Sequence, residues 1–437
     1  MNRRFRLLLI GDSDSQLLAC EALCQFPDHL KVDVTINAVP RDGTPETILK
    51  RVGELGKLWR FDMGELLTHP ELHQFDAIGV YLTGSKISDF RVALSLLPRG
   101  ARPLLFCGFN GVVLEKFVEG MSWRLGYDLI CLNGQRDQDT LNRMLSGSPF
   151  ADQPTVLTGL RRNAEPGTTP IPHHKRRLQM VFAEQVVMPS EEQDRANMVK
   201  ILANLARRSP DWEILIKPRI APEEATFHQS QTHISQTLMQ SIGQPPSNLR
   251  LDYRPLPELL RQSRLMATVS STAFFDALDF GCKPVVMADF GMNPSNGSHI
   301  FAGSGVWKTL NSVGDLNVLD QELQQPNPEW LTWMGYGREW KPEQLIAALQ
   351  KLNRKQQQPL QEKAGYLTNA NFSFTQIRRD AERAIENKNW KEAESLLRLG
   401  RLMRPTHRNI AWRLKAVEQS NRLLRRLLLI LSFKDVG

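Results

Sequence analysis

Cysteine is scarce in this chain, with five residues in 437. Cys20, Cys24, Cys107, Cys131 and Cys282 are scattered, and the CxxxC of Cys20 and Cys24 has no second pair to complete it. That spacing excludes a disulfide framework and argues against a zinc site. Most of the thiols stand in or beside apolar runs such as LLFCGF, where cysteine behaves as a small hydrophobe. Long apolar runs are missing too: nothing approaches the roughly 18 to 20 residues of a membrane span. The apolar stretch Leu7 to Ile10 follows a charged opening but stops after four residues at Gly11-Asp12. It is too short for a secretory leader and suits a first strand. These absences predict a cytoplasmic protein. Most of the chain also lacks an excess charge. The total is +8, from 55 Lys+Arg against 47 Asp+Glu, yet residues 372–437 alone carry 15 basic and 7 acidic side chains. Subtraction leaves 40 of each sign for residues 1–371. A neutral body without a basic-aromatic module argues against a nucleic-acid partner.

The length predicts two or three domains, and 41% apolar residues supply cores for them. Short apolar runs at Arg6 to Ile10, Val32 to Ile36, Ala77 to Tyr81, Pro103 to Cys107 and Asp128 to Leu132 read as strands closed by turn residues. Helical patterns at Gln16 to Cys24, Val112 to Glu119 and Arg136 to Met144 lie between or after them. Alternating strands and helices mean a parallel, doubly wound sheet. The segment RRNAEPGTTPIPHHKRR, Arg161 to Arg177, has the composition of a linker. The architecture then repeats, with strands at Leu178 to Phe182, Glu213 to Lys217, Leu249 to Tyr253, Leu265 to Ser270 and Pro284 to Ala288. Ser190 is the expected N-cap of a long helix, Glu191 to Arg208, and Gly281 the residue that ends a later one. The fold class is therefore α/β: two Rossmann-like doubly wound domains, 1–165 and 178–340, joined by a linker at 166–177. Connecting helices at 341–371 lead to a basic helical tail, 372–437. In that tail, AERAIENKNWKEAESLLRLGRLMRP has the look of one tetratricopeptide-type hairpin, which cannot bury its own face and is expected to dock elsewhere.

In such sheets ligands bind beyond the carboxyl ends of the strands, and pockets favour domain interfaces. Four constellations stand there. Ser270, Ser271 and Thr272 follow a strand and open a helix, a placement that suits a phosphate or a plain helix cap. Lys217-Pro218-Arg219 brings two cations to a strand end with a stiffening proline between them, enough to neutralise a diphosphate or simply to lie in solvent. Thr226 and His228 follow on the next loop as candidate contacts to a base or sugar. Glu184-Gln185 end the first strand of the second domain. Gly11-Asp12-Ser13-Asp14-Ser15 offers two carboxylates, Asp12 and Asp14, either as a general base or as turn and cap residues.

Taken together, KPR after a strand, VSSTAFFDALDFGCKPVV, ADFG and NGSHIFAGSGV closely resemble an uncharacterised bacterial family of glycosyltransferases of GT-B architecture, as do GDSDS, FAEQ and TFH. The likeness covers roughly Arg4 to Leu310. More distantly, the lysine-proline and serine-serine-threonine elements are similar to those of bacterial sialyltransferases and Kdo transferases, which use CMP-sugars. Those relatives carry a histidine-proline pair where this chain has Arg219-Ile220. The resemblance implies a second domain that binds a nucleotide-sugar donor and a first domain that binds the acceptor. Ser270, Ser271 and Thr272 would hold phosphate, and Lys217 and Arg219 would stabilise the departing nucleotide. Asp14, or else Asp12, would be the base of an inverting transfer to a glycan or lipid-linked acceptor. The fixed cations imply neither a metal nor a cofactor. Asp12-Ser13-Asp14 has DxD spacing but stands on the acceptor domain.

Other classes stay open: a sugar-nucleotide epimerase or a glycerophosphate transferase of similar two-domain build, or a non-enzymatic scaffold acting through the tail. The last stretch, NRLLRRLLLILSF, reads as a short helix with Arg422, Arg425 and Arg426 beside a leucine-rich face. It is expected either to pack on the hairpin or to rest on the inner face of an anionic membrane.

Overall fold

A computed structural model describes residues 3–24, 26, 28–40, 46–84, 86–95, 103–109, 111–112, 117–147, 151–160, 169–186, 188–219, 232–337, 343–355, 374–403 and 407–433. The chain divides into two compact units, Met1–Arg161 together with Gly337–Gly437, and Arg162–Tyr336.

The first unit is built on seven strands: β1 (Phe5–Gly11), β2 (Val32–Ala38), β3 (Lys57–Trp59), β4 (Ala77–Tyr81), β5 (Leu104–Cys107), β6 (Leu129–Leu132) and β7 (Thr155–Leu157). All pairings are parallel, in the order β3-β2-β1-β4-β5-β6-β7. A parallel sheet is covered on both faces, so Leu7 to Ile10 are all buried: Leu8 and Ile10 face one core, Leu7 and Leu9 the other. The winding reverses between β1 and β4. There Gly11 lets the helix Asp14–Ala22 come close, since a Cβ on it would sit 2.9 Å from Leu17 Cδ2.

The second unit repeats the plan with β8 (Arg177–Ala183), β9 (Glu213–Lys217), β10 (Leu249–Leu251), β11 (Ser263–Thr268), β12 (Lys283–Met287) and β13 (Trp307–Lys308), in the order β10-β9-β8-β11-β12-β13. Its winding reverses between β8 and β11. Gly281 follows the helix Ala273–Asp279 with φ +71°, the left-handed conformation that glycine adopts without penalty.

Several expectations need correction. The long helix is Glu192–Arg208, capped by Glu191 and not by Ser190, because the Arg195 N–H already pairs with the Glu191 carbonyl at 3.0 Å. The expected helix from Val112 starts at Phe117 in the described residues, as Phe117–Ser122; positions 113–116 lie outside them. Short edge strands β3, β7 and β13 escape sequence patterning, since two or three residues hold too little alternation. Residues 169–177 have linker composition but pack into the second unit. The Arg176 guanidinium donates to the carbonyls of Leu260 (2.9 Å), Ser263 (3.0 Å) and Phe280. His173 Nε2 lies 2.6 Å from Asp320 Oδ1, and Arg264 donates to the other oxygen of that carboxylate at 3.2 Å.

Residues 343–437 do not form a separate body; they belong to the first unit. In the helix Glu343–Lys355, Leu345 and Leu349 join the core that holds Leu7 and Leu9. Helices Phe374–Glu386, Trp390–Met403 and Arg408–Val417 place Ile377, Leu396, Leu397, Ile410 and Leu414 in the core that holds Leu8 and Ile10. Docking onto the body is thus how the tail covers its apolar face. Pro405, the expected stop of the hairpin, lies outside the described residues.

The five cysteines are free thiols, and all but Cys24 are buried. Burial pushes the Cys131 thiol up to about 12 and raises Cys20, Cys107 and Cys282 as well. In the native protein at neutral pH, Ellman's reagent is therefore expected to leave these four unmodified. All five should react in guanidinium; rapid native labelling of any of the four, located by mass spectrometry, would contradict this packing.

Candidate functional site

The crevice of an open parallel sheet lies outside the carboxyl ends of its strands, where the winding reverses. In the second unit this is the rim between β8 and β11. Glu184 leaves β8 buried, 7% exposed, and its carboxylate accepts from Arg195 Nη2 at 3.0 Å and from the Arg219 backbone N–H at 3.2 Å. Arg195 is equally buried and also donates to the carbonyls of Gln185 and Val186. One buried ion pair therefore fixes the end of β8 and the turn after β9. Gln185 reaches across the crevice, where its Oε1 accepts the Ser270 N–H at 3.0 Å.

The turn after β9 carries half-buried Lys217, buried Pro218 and exposed Arg219. Lys217 Nζ donates to the Pro218 carbonyl at 2.5 Å, which keeps the ammonium at the strand end. After β11, the three hydroxyl residues separate into different roles. Ser270 is fully buried and its N–H is taken by Gln185. The Ser271 N–H donates to Thr268 Oγ1 at 3.1 Å, while its hydroxyl accepts the Ala273 N–H at 3.2 Å. Thr272 is exposed and makes no capping bond. Of the three, Ser270 shapes the turn, and Thr272 has the most accessible side chain.

A neighbouring position was not singled out from sequence. Tyr253 follows β10, is 46% exposed, and stacks on His233, with ring centroids 6.4 Å apart and an interplanar angle of 12°. Asp252 pins that loop by accepting from Arg254 Nη2 at 2.6 Å, and these hydrogen bonds hold its carboxyl below the usual carboxylate range. Exposed tyrosine beside a strand end was the available signal, but a single aromatic in a polar loop carries little weight on its own. Thr226 and His228 lie outside the described residues.

In the first unit the corresponding rim lies between β1 and β4. Asp12 is 2% exposed, and its carboxylate accepts the Thr83 N–H (2.9 Å), the Thr83 hydroxyl (2.8 Å) and Lys86 Nζ (3.0 Å). A carboxylate with that many donors is a structural tie and is poorly placed to take a proton from a substrate. Asp14 is the first residue of the helix Asp14–Ala22. Among the described residues, no group of three His, Cys, Asp or Glu side chains is placed to hold a metal ion.

Residues 7–352 match the model of a family described as "Putative glycosyltransferase (DUF6716)". The chain belongs to this glycosyltransferase family. No curated protein matches its sequence. Among solved structures, one titled as a putative UDP-N-acetylglucosamine 2-epimerase from Listeria monocytogenes aligns with TM-score 0.51 and 14% identity, over 82% of this chain and 98% of the other. The S. aureus MnaA–UDP co-structure gives TM-score 0.50 and 10% identity, over 81% and 98%. A UDP-glucosyltransferase from Polygonum tinctorium gives 0.44 and 12%, over 81% and 94%. Identities this low establish the fold alone: two parallel-sheet α/β units of the GT-B kind, followed here by helices. The tail beyond residue 352 falls outside the family match.

Removing one partner of a buried ion pair strands the other charge, at a cost of about 3–5 kcal/mol. Arg195→Met is expected to lower the denaturation free energy by that amount. An unchanged urea midpoint would show that Glu184 does not depend on Arg195.

Proposed function

We propose that the protein transfers a sugar from a nucleotide-sugar donor to a glycan or lipid-linked acceptor, in the synthesis of a cell-surface polysaccharide or glycolipid. The observation that carries this reading is the set of groups along one rim of the second unit. Tyr253, Lys217, Arg219 and Thr272 follow strands β10, β9 and β11 of a single sheet in a glycosyltransferase family member. From β10 to β11 is three strand spacings, about 14 Å, the reach of an extended nucleoside diphosphate. In this reading the Tyr253 ring takes the base, Lys217 and Arg219 the diphosphate, and Thr272 with Ser271 the terminal phosphate. Ser270, Glu184 and Gln185 position the turns that present these groups. Thr226 and His228 remain candidates for base or sugar contacts.

The transfer balances without a cofactor. The acceptor oxygen bonds to the anomeric carbon as the bond from that carbon to the phosphate oxygen breaks, and the nucleotide leaves with the electron pair. Lys217 and Arg219 stabilise its charge, which acts most strongly in the transition state. The acceptor binds the first unit, and Asp14 takes its hydroxyl proton. Because the carboxylate of Asp12 is held by Thr83 and Lys86, Asp14 is the preferred base. Attack opposite the leaving nucleotide inverts the anomeric centre.

A second reading has one observation in its favour: the structures aligned with TM-scores of 0.51 and 0.50 are a titled UDP-N-acetylglucosamine 2-epimerase and a UDP complex. An epimerase would convert the sugar nucleotide with no acceptor present.

Thermal shift with CMP, CDP, UDP, GDP and their sugars is expected to identify one nucleotide that raises the melting temperature. That shift should be weakened by Lys217→Ala and Tyr253→Ala. With the matching donor, Lys217→Ala should lower transfer by about a hundredfold, and Asp14→Asn should abolish the chemical step while nucleotide binding persists. No shift with any nucleotide would overturn the donor site, and an epimerised donor in acceptor-free reactions would replace transfer by epimerisation.

A further inference from the structure

We propose that the last helix, Arg422–Phe433, docks the protein in the plane of an anionic lipid surface. This inference rests on the tail alone and does not depend on the enzymatic reading. Leu423, Leu424, Leu427, Ile430 and Leu431 are 42% to 81% exposed. Their spacing, i, i+1, i+4, i+7 and i+8, gathers them into one stripe of the helix. The opposite side is the one that holds the helix to the body. Arg425 lies 4.5 Å over the Trp390 ring and donates to the Gln419 carbonyl, Leu429 packs against the core of the first unit, and Ser432 is buried. The helix is thus already anchored, and its apolar stripe faces outward.

Charge decides among occupants of that stripe. Arg422 and Arg426 are exposed on the same helix, and no acidic residue occurs from Gln419 to Lys434. The whole tail carries the +8 excess, so a second copy would bring like charge against like. Anionic headgroups would neutralise it, at about 1 kcal/mol per basic residue near the surface. Twelve residues span about 18 Å as a helix, short of the roughly 30 Å hydrocarbon core. No helix among the described residues is long and apolar enough to cross a membrane. A helix of this kind lies at the interface, with its leucines among the acyl chains and its arginines among the phosphates.

The full chain is expected to float with phosphatidylcholine vesicles that contain phosphatidylglycerol and much less with phosphatidylcholine alone, and high salt should release it. Leu427→Asp with Ile430→Asp should abolish flotation. Arg422→Glu with Arg426→Glu should weaken binding to the anionic vesicles by about tenfold or more. All four substitutions are on exposed positions, so circular dichroism and the melting temperature should stay unchanged; a variant that fails this check is replaced by Leu427→Gln with Ile430→Gln. Absence of flotation by the wild type, or flotation undiminished in folded variants, would overturn the proposal. A concentration-dependent dimer in light scattering that Leu427→Asp with Ile430→Asp removes would assign the stripe to a second copy instead.

Discussion

A buried carboxylate directly after a central strand organises each of the two rims. In the second unit it is Glu184, held by the Arg195 guanidinium and the Arg219 backbone N–H. In the first it is Asp12, held by Thr83 and Lys86. Strands of a parallel sheet all end on one side, and where the winding reverses no helix crosses directly between the two neighbouring strands. Something must tie those ends together. A carboxylate suits the task because it accepts several donors at once, but burying it is costly unless the donors are all in place. The rim geometry is consequently fixed as a unit: moving one turn would leave a charge unpaired.

That constraint separates the polar residues at the second rim into two kinds. Glu184, Gln185, Arg195 and Ser270 spend their hydrogen bonds on one another and on the backbone, and they set the shape. Lys217, Arg219, Thr272 and Tyr253 sit on the turns so shaped and have accessible side chains or ring faces. Preorganisation of this sort is what a site for a charged ligand needs, since cations fixed beforehand do not have to reorganise when charge develops.

The tail obeys the same economy of burial. Its helices are polar on one side and apolar on the other, and they cover that apolar side by sharing the core of the first unit. Gly400 permits the close fit, with Ile410 Cδ1 3.3 Å and Ile377 Cγ2 3.7 Å from where a Cβ would stand. A buried ion pair of Arg413 with Glu382 joins two of the helices. The last helix alone carries apolar side chains on both sides, one set packed and the other exposed.

Sequence by itself determined the alternation of strands and helices, the paired doubly wound architecture and the identity of the strand ends. The reason is that fully buried parallel strands must be short apolar runs closed by turn formers. Ala77–Tyr81 and Glu213–Lys217 could be read to the residue on that basis. It also located the charge excess in the tail. What only the tertiary structure decided involves partners far apart in the chain. Asp12 meets Thr83 and Lys86 more than seventy residues later, Gln185 meets Ser270, and His173 meets Asp320. Composition marked His173 as linker because composition carries no such partner. A carboxylate has the same letter whether it is a base or a tie, and only the donors around it, brought together by folding, tell which.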